Sequence, residues 1–265
     1  MMGVLNVTPD SFSDGGMFLN AEAAVQRGVQ MAAEGADLID IGGESTRPGS
    51  QRVPREEELR RVVPVVTQLA RAVRIPISVD TSKAEVAAQA LEVGASIVND
   101  VTALRGDPRM GGVVARAKAA IILMHMRGTP ETMQRCPRYR HLIGDITAFL
   151  VRAAQQAEAA GIGRSRIVID PGLGFGKTLE HNLALLRSLG QLVSLGFPVA
   201  LGPSRKSFIG HVLNADVQDR LAGTLACVAS AQRYGVHIVR VHDVQPTVQF
   251  LKMLEAIERS DASRC

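Results

Sequence analysis

Polar side chains stand at the ends of short apolar runs along this chain. Asp80, Asn99 and Asp170 each come directly after a run of aliphatic residues. Carboxylate and amide groups held at such positions can read the donor edge of a heterocycle with fixed geometry. Each residue taken alone is equally a normal N-cap for a following helix. Because all three are expected to face one opening, the pattern favours ligand binding over capping.

A basic group follows in the last quarter of the chain. Residues 204–207 read SRKS and include Lys206, and Arg240 and His242 lie two positions apart on one predicted strand. Residues two apart on a strand share a face. Such side chains suit a phosphate or diphosphate. A single lysine or arginine is usually a solvated surface charge, but Arg240 interrupts an apolar run, which favours a buried role.

Asn6 lies near the end of the first apolar run and offers a neutral oxygen to Mg²⁺. That ion often takes one or two protein ligands and completes its shell with water and substrate phosphates. A structural, hydrogen-bonded asparagine is the more common interpretation of such a residue. No HExxH pattern or His–Cys cluster indicates zinc, and no GxSxG pattern indicates a hydrolase.

The segment DPGLGFGKT, residues 170–178, resembles a phosphate-binding loop at first sight. It does not fit the Walker A pattern, because the first glycine of that pattern would fall at Pro171. Two interpretations stay open. The segment is either a flexible turn or a loop that brings its backbone and Phe175 close to a flat ligand.

The elements that position these residues are predicted from hydrophobic pattern. Continuous apolar runs are typical of buried parallel strands, and segments of helical period separate them. Repeated strand–helix alternation predicts a (β/α)₈ barrel, whose chemistry lies at the carboxyl ends of the strands. An open doubly wound sheet is the alternative, but polar residues end all the runs instead of clustering at one switch point. The eight runs are Met2–Val7, Leu38–Ile41, Ile75–Val79, Ser96–Val98, Ile121–Met124, Ile167–Ile169, Val199–Leu201 and Val236–Val241.

Two helical segments carry boundary signals of interest. In Pro54–Val73 a proline in the first turn precedes acidic residues, which suits the positive end of a helix. Pro64 lies inside this segment and is expected to kink or interrupt the helix. Leu179–Leu192 is predicted as one further helix.

Size and composition agree with one barrel domain over residues 1–265. The chain is 46% hydrophobic and 21% charged, and its net charge of +4 does not argue for nucleic-acid binding. It does fit a site that gathers basic groups for an anionic substrate. The three cysteines, Cys136, Cys227 and Cys265, suggest neither a disulfide framework nor a metal site. With no signal peptide or membrane span indicated, we expect a cytoplasmic protein.

The motifs taken together resemble those of the dihydropteroate synthases, the folate-pathway enzymes that sulfonamides target. The resemblance covers essentially the whole chain. In order, the motifs are NVTPDSFSDGG, IGGESTRPG, SVDTSK, VND, MHMRGTP, DPGLGFGK, SRKSFIG and RVHDV.

The resemblance implies a (β/α)₈ barrel, usually a homodimer. It implies an enzyme that joins 4-aminobenzoate to (7,8-dihydropterin-6-yl)methyl diphosphate and releases diphosphate through a dissociative step. It also implies the site residues, with Asp80, Lys206, Arg240 and His242 closest to the chemistry. The pterin would contact Asp80, Asn99, Asp170 and Lys206. The diphosphate, together with Mg²⁺, would contact Arg240, His242 and Asn6. The aminobenzoate would contact Thr46, Arg47, Pro48, Phe175 and Ser207.

Two other functions remain open at this point. Pterin-dependent corrinoid methyltransferases share the pterin-reading residues but need no diphosphate site, so SRKSFIG and RVH argue against them. A basic nucleic-acid-binding protein is the second alternative, and neither an aromatic platform nor a clustered basic helix supports it. The chain departs from the resemblance in two places. It begins almost at the first strand, without the short leader that many members carry, which leaves capping of the barrel floor open. Pro203 precedes SRKS and is expected to stiffen the approach to Lys206.

Overall fold

The computed structural model of this protein describes residues 1–8, 17–46 and 49–259. Eight parallel strands form its centre. Each strand is short and almost entirely buried. In chain order they are β1 (Met2–Asn6), β2 (Leu38–Gly42), β3 (Ile77–Asp80), β4 (Ile97–Asp100), β5 (Ala120–Met124), β6 (Ile167–Asp170), β7 (Ala200–Leu201) and β8 (Ile238–Val241).

The strands follow one another around a ring. Neighbours along the sheet run β6-β5-β4-β3-β2-β1-β8-β7, so every strand pairs with the one before or after it and β1 pairs with β8. A parallel bridge between Ile169 and Val199 joins β6 to the residue before β7, and the Ile169 N–H donates to Pro198 O at 2.9 Å. The two ends of the sheet thus meet. The predicted (β/α)₈ barrel is confirmed.

Helices cover the outside of this ring. Those of the described ranges are α1 (Met17–Ala33), α2 (Arg55–Ala72), α3 (Ala84–Glu92), α4 (Met110–Ala117), α5 (Leu142–Ala159), α6 (Leu179–Arg187), α7 (Leu189–Val193), α8 (Ser207–Leu213), α9 (Leu221–Arg233) and α10 (Val244–Arg259). None of the helices in these ranges combines the length and apolarity that crossing a bilayer requires.

Successive side chains of each strand point to opposite faces of the sheet. Those on the outer face pack against the helices, and Ile39 and Ile41 of β2 are fully buried there. Those on the inner face point into the barrel. At its base Met2, Ile122 and Ala200 form an apolar floor. Above this floor the inward positions become polar, so the barrel presents charged groups only toward the carboxyl ends of its strands.

The predicted elements differ from the structure in a few places. Helix α2 runs unbroken through Pro64, so the expected interruption is absent. The predicted helix Leu179–Leu192 is two helices, because Ser188 leaves helical geometry at φ −110° and ends α6. Helices α4 and α8 had no sequence prediction. They are short, with 8 and 7 residues, and therefore carry little periodic signal.

Candidate active site at the barrel mouth

Arg240 lies at the centre of the polar layer. From β8 its Nε donates to Asp40 Oδ2 at 2.6 Å, and its Nη2 donates to Asp80 Oδ2 at 2.9 Å. The amide of Asn99 donates to the same Asp40 oxygen at 2.9 Å. Strands β2, β3, β4 and β8 are thereby connected across the barrel interior. The structure brings together three of the predicted site residues with Asp40, which was not predicted.

Asp40 was missed because it lies inside the apolar run of β2 and not at its end. It is fully buried, and its Oδ1 has no hydrogen-bond partner among the described residues. Ser78 Oγ, on the neighbouring strand, shares this condition. Buried polar atoms usually have partners, so both atoms are available to a ligand or water. A charged residue inside the LIDIG strand was the sequence signal that could have identified Asp40.

Burial and the neighbouring charges change the pKa of Asp80. Burial raises the pKa of the Asp80 carboxyl to about 7; the positive charge of Arg240 opposes this shift and the negative charge of Asp40 adds to it. Arg240 therefore donates hydrogen bonds to two carboxylates, Asp40 and Asp80, that are buried close together. Asp80 is poised to gain or lose a proton near neutral pH when the charge beside it changes.

Asp170 ends β6 on the other side of the mouth. Its Oδ1 accepts the Gly172 N–H at 2.7 Å. Burial raises the pKa of Asp170, while the Gly172 amide and then the charges of Lys206 and Lys177 act to lower it. Asp170 and Lys206, which were both predicted to contact the pterin, are therefore near enough for their charges to interact.

Lys206 and Phe175 meet at the edge of the mouth. The Lys206 Nζ lies 4.1 Å from the centroid of the Phe175 ring, which is an attractive cation–π arrangement. Phe175 is buried, while Ser207, the first residue of α8, is exposed beside Lys206. A Cβ at Gly174 would lie 3.2 Å from Lys206 Cδ, so the glycine leaves room for the lysine stem.

Lys177 is a second residue that sequence reasoning missed. It is 3% exposed, and its Nζ lies 3.0 Å from both His125 Nδ1 and Phe175 O. Burial lowers the pKa of Lys177 to about 7, and burial together with the Lys177 charge lowers that of His125 to about 2. His125 is therefore neutral and accepts from the lysine. The only sequence signal was a lysine next to a glycine-rich turn, which is not distinctive.

His242 follows β8 and pairs with the SRKS segment. Ser204 Oγ accepts the His242 N–H at 3.1 Å and lies 2.9 Å from its Nδ1. The hydroxyl hydrogen can then go to Nδ1, which leaves the other ring nitrogen as an N–H donor. Burial, with the charges of Arg240 and Arg205, lowers the pKa of His242 to about 3. His242, predicted as a basic group, is uncharged at neutral pH and contributes a donor.

Asn6 ends β1 beside this group. A Cβ built on Gly42 would lie 3.8 Å from both Asn6 Oδ1 and Asp80 Oδ2. The two oxygens therefore face the same small space, which a side chain at position 42 would fill. One neutral oxygen near an acidic one fits an ion that takes few protein ligands. No cluster of three or more His, Cys, Asp or Glu that could hold a metal occurs in the described part of the chain.

A cavity of about 560 Å³ opens beside Asp80, and Thr46 lies on its wall. The Gly49 N–H donates to Pro130 O at 3.1 Å, which joins the loop after β2 to the loop after β5 over this cavity. The predicted residues Arg47 and Pro48 lie outside the described residues. The same is true of residues 9–16, which belong to the motif NVTPDSFSDGG.

A partly buried ion triad supports the loop that carries Thr46. Lys83 Nζ bonds both Glu44, in that loop, and Glu58, on α2. Glu58 is fully buried and Glu44 lines the cavity. Burial raises the pKa of Glu58, and its hydrogen bonds with Lys83 and Thr81 oppose that shift. The triad fixes the base of the loop to α2 and α3.

Comparison with known proteins decides the family. The family described as pterin binding enzyme matches residues 2–242. A dihydropteroate synthase of Synechocystis sp. is 47% identical over 260 residues, which cover 98% of this chain and 90% of the relative. The chain belongs to the dihydropteroate synthase family of pterin-binding enzymes.

Solved dihydropteroate synthases have the same fold. One from Xanthomonas albilineans with 4-aminobenzoic acid matches at a TM-score of 0.92 and 46% identity, covering 98% of this chain and 93% of that one. Another from that organism, in complex with 7,8-dihydropteroate, matches at a TM-score of 0.88 and 43% identity, covering 98% and 94%. The dihydropteroate synthase function expected from the sequence is confirmed, and the methyltransferase alternative is not supported.

Proposed function

We propose that the pterin ring of the substrate lies on the apolar floor of the barrel, inside the ring of polar side chains. The observation that carries this placement is the position of Asp80, Asn99 and Asp170 above that floor. Acceptor oxygens suit the donor edge of a reduced pterin, and Lys206 supplies a charge at the rim. Asp40 Oδ1, unpartnered among the described residues, offers one further acceptor.

The leaving diphosphate is proposed to lie against Arg240, His242 and the segment Ser204–Lys206. The neutral His242 donates an N–H, and Arg240 supplies positive charge. Asn6 would hold Mg²⁺ together with the diphosphate, an assignment that rests on the resemblance and on the oxygens facing Gly42. When bound, that ion would neutralise charge on the departing phosphate oxygens.

The reaction proposed for this geometry is dissociative. The bond between the pterin methylene carbon and the diphosphate oxygen breaks first, and its electron pair leaves with the diphosphate. Arg240 and the His242 N–H stabilise that growing negative charge. The methylene cation is stabilised by the Asp80 and Asp170 carboxylates that surround it. The aryl amine nitrogen then donates its lone pair to form the new C–N bond and releases a proton to solvent.

The aminobenzoate is proposed to enter through the cavity beside Thr46. Phe175 and Ser207 would complete its site, together with Arg47 and Pro48, which lie outside the described residues. The contact between Gly49 and Pro130 places two loops over this cavity. Closed loops limit the access of water to the cation, which would otherwise be captured by hydrolysis.

We further propose that the chain acts as a single domain over residues 1–265 and as a cytoplasmic homodimer without nucleic-acid or membrane partners. Exposed apolar side chains support the dimer: Val212 is 55% exposed on α8 and Met253 is 62% exposed on α10. Both helices pack against α9, so the exposed groups lie on one side of the barrel.

Binding and turnover experiments test the site. Asp170→Ala and Lys206→Ala are each expected to weaken binding of a pterin ligand at least about tenfold, because each removes a charged partner. Calorimetric titration measures the affinity, and diphosphate release measures turnover with both substrates. Lys252→Ala, an exposed lysine on α10, is the control. Unchanged pterin affinity in both site variants would contradict the placement, and methyl transfer without diphosphate release would contradict the reaction.

A further inference from the structure

A second cavity of about 380 Å³ lies outside the barrel mouth, between the loops after β4 and β5 and helix α5. We call it the α5 cavity and define it by Arg105, Arg127, Arg152, Tyr139 and Phe149. Met126 separates it from the mouth, since that residue lines both cavities. None of the residues proposed for the pterin, diphosphate or aminobenzoate lines the α5 cavity.

Two of its guanidinium groups are held in place before any ligand binds. Arg105 lies 4.7 Å from the centroid of Phe149, and it donates to Thr102 O at 2.9 Å and to Met126 O at 3.0 Å. Arg127 lies 5.0 Å from the centroid of Tyr139. Arginine side chains that are already ordered lose less conformational entropy when they bind a ligand.

The positive charge of this cavity is not paired at contact distance with a carboxylate of the described residues. Among the described residues, none of the three lining arginines forms an ion pair with a carboxylate. Asp145 also lines the cavity, but its Oδ2 accepts the backbone N–H groups of Arg140 and His141, at 3.1 and 3.4 Å. The lining holds three guanidinium groups and the Asp145 carboxylate, and Asp100 acts on Arg105 from outside the lining, so a net positive charge remains at the site.

We propose that the α5 cavity is a second anion site that binds the phosphoryl group of a compact phosphate-class ligand. Guanidinium groups present paired N–H donors that match phosphate oxygens, and several arranged around one cavity suit an anion of two charges better than one of a single charge. The rings of Phe149 and Tyr139 keep the guanidinium groups of Arg105 and Arg127 on the wall of the cavity. The site differs from the proposed diphosphate site in its residues and in its position outside the barrel.

Amide chemical shifts measured while phosphate is added to the protein test this site. The Gly128 amide reports on the α5 cavity and the His242 amide reports on the mouth. Titration with inorganic phosphate at constant ionic strength should move the Gly128 signal along a saturating curve. Acetate, with one charge, should not saturate it. A sugar phosphate separates the sources: saturation by both phosphates assigns the phosphoryl group of a larger molecule, and saturation by inorganic phosphate alone assigns the free ion.

Arg152 is the cleanest residue to change, because it is exposed on α5 and distant from the proposed chemistry. Arg152→Gln should weaken the Gly128 response about two- to fivefold, the range for one exposed charge pair, and leave the His242 response unchanged. Arg127→Gln should weaken it similarly. Arg71→Gln removes an exposed helical arginine elsewhere and should change neither response. A Gly128 signal that never saturates, or equal weakening in Arg71→Gln, would overturn the proposal.

Discussion

At the scale of single residues, Asp40 organises the polar interior. Its Oδ2 accepts both from Arg240 and from Asn99, so it fixes the orientation of the two side chains at once. Its negative charge is also one of the causes that raise the pKa of Asp80. One buried carboxylate on β2 therefore controls both the geometry and the charge of the site.

The raised pKa of Asp80 makes stability depend on pH. Its folded pKa of about 7 exceeds its ordinary value of 3.8, so the folded state holds the proton more tightly. The stability that the Asp80 proton adds to the folded state is fully present below the ordinary pKa of 3.8 and is lost as pH rises through about 7. The slope is at most about 1.4 kcal/mol per pH unit. We expect the unfolding free energy of the wild type relative to Asp80→Asn to fall between pH 4.5 and 7.5 in urea titrations.

Asp40→Asn should shift the pH range over which Asp80 affects the unfolding free energy. Removing the negative charge beside Asp80 lowers the Asp80 pKa, so the pH window of the previous comparison shifts to lower values. Asp37→Asn, on an exposed carboxylate that pairs with the N-terminus, should leave the window in place. If Asp40→Asn and Asp37→Asn gave the same pH profile, the charge coupling of Asp40 with Asp80 would be wrong.

At the scale of elements, the loop after β6 depends on glycine. Gly172 has φ +68°, and a Cβ there would lie 2.1 Å from His125 O. Gly176 has φ +65°, and a Cβ there would lie 2.5 Å from Arg127 O. The loop thus passes directly against the backbone that follows β5. This close approach places Phe175 and Lys177 under the rim of the mouth.

Gly172→Ala should separate backbone strain from this close approach. Positive φ alone costs a non-glycine residue about 1–2 kcal/mol. Gly49→Ala provides that reference, because Gly49 has φ +80° and nothing lies within 4 Å of its hypothetical Cβ. We expect Gly172→Ala to lower the unfolding free energy by clearly more than Gly49→Ala in urea titrations. Equal losses would show that the loop can move away from β5 freely.

The ion triad of Lys83, Glu44 and Glu58 predicts another stability effect. Lys83→Met leaves the fully buried Glu58 without its cation, which typically costs about 3–5 kcal/mol. Glu58 then holds a proton when folded, so the loss should be greater at pH 8 than at pH 5.5. Urea unfolding at both pH values measures this. The double change Lys83→Met with Glu58→Gln should recover part of the loss, whereas Lys252→Met should cost little.

At the scale of the whole molecule, exposed apolar groups occur on α8 and α10, the two helices that pack against α9. Besides Val212 and Met253, Leu213 is 46% exposed and Ile257 is 57% exposed. Exposed apolar groups that collect on one side of a protein commonly mark an interface. The proposed homodimer would bury this side and leave the mouth of each barrel open.

Charged substitutions on that side should therefore shift the oligomeric state. Val212→Asp and Met253→Asp are expected to convert dimer to monomer at micromolar concentration, because each would bury an unpaired charge in the interface. Sedimentation velocity measures the mass. Gln156→Asp adds a charge on the exposed face of α5 and should change nothing. Wild-type protein that sediments as a monomer would contradict the dimer proposal directly.

The sequence by itself determined the barrel and most of the strand-end residues. Continuous apolar runs report burial on both faces, and the polar residues that end β3 and β6 reveal Asp80 and Asp170 without knowledge of their neighbours. The break at Ser188 and the short helices α4 and α8 were not predictable in this way, since periodicity is weak over so few residues. Local pattern also offered no reason to single out Lys177.

Only the tertiary structure decided which side chains meet. Arg240 and Asp40 are 200 residues apart, and their 2.6 Å contact depends on β8 and β2 both pairing in register with β1, which lies between them in the ring. A shift of one residue in any strand would turn its inward side chains outward. Burial and charge proximity, which leave His242 neutral and raise the pKa of Asp80 to about 7, likewise follow from closure of the ring. Residue type identifies the chemistry available, but the geometry that combines it belongs to the closed barrel.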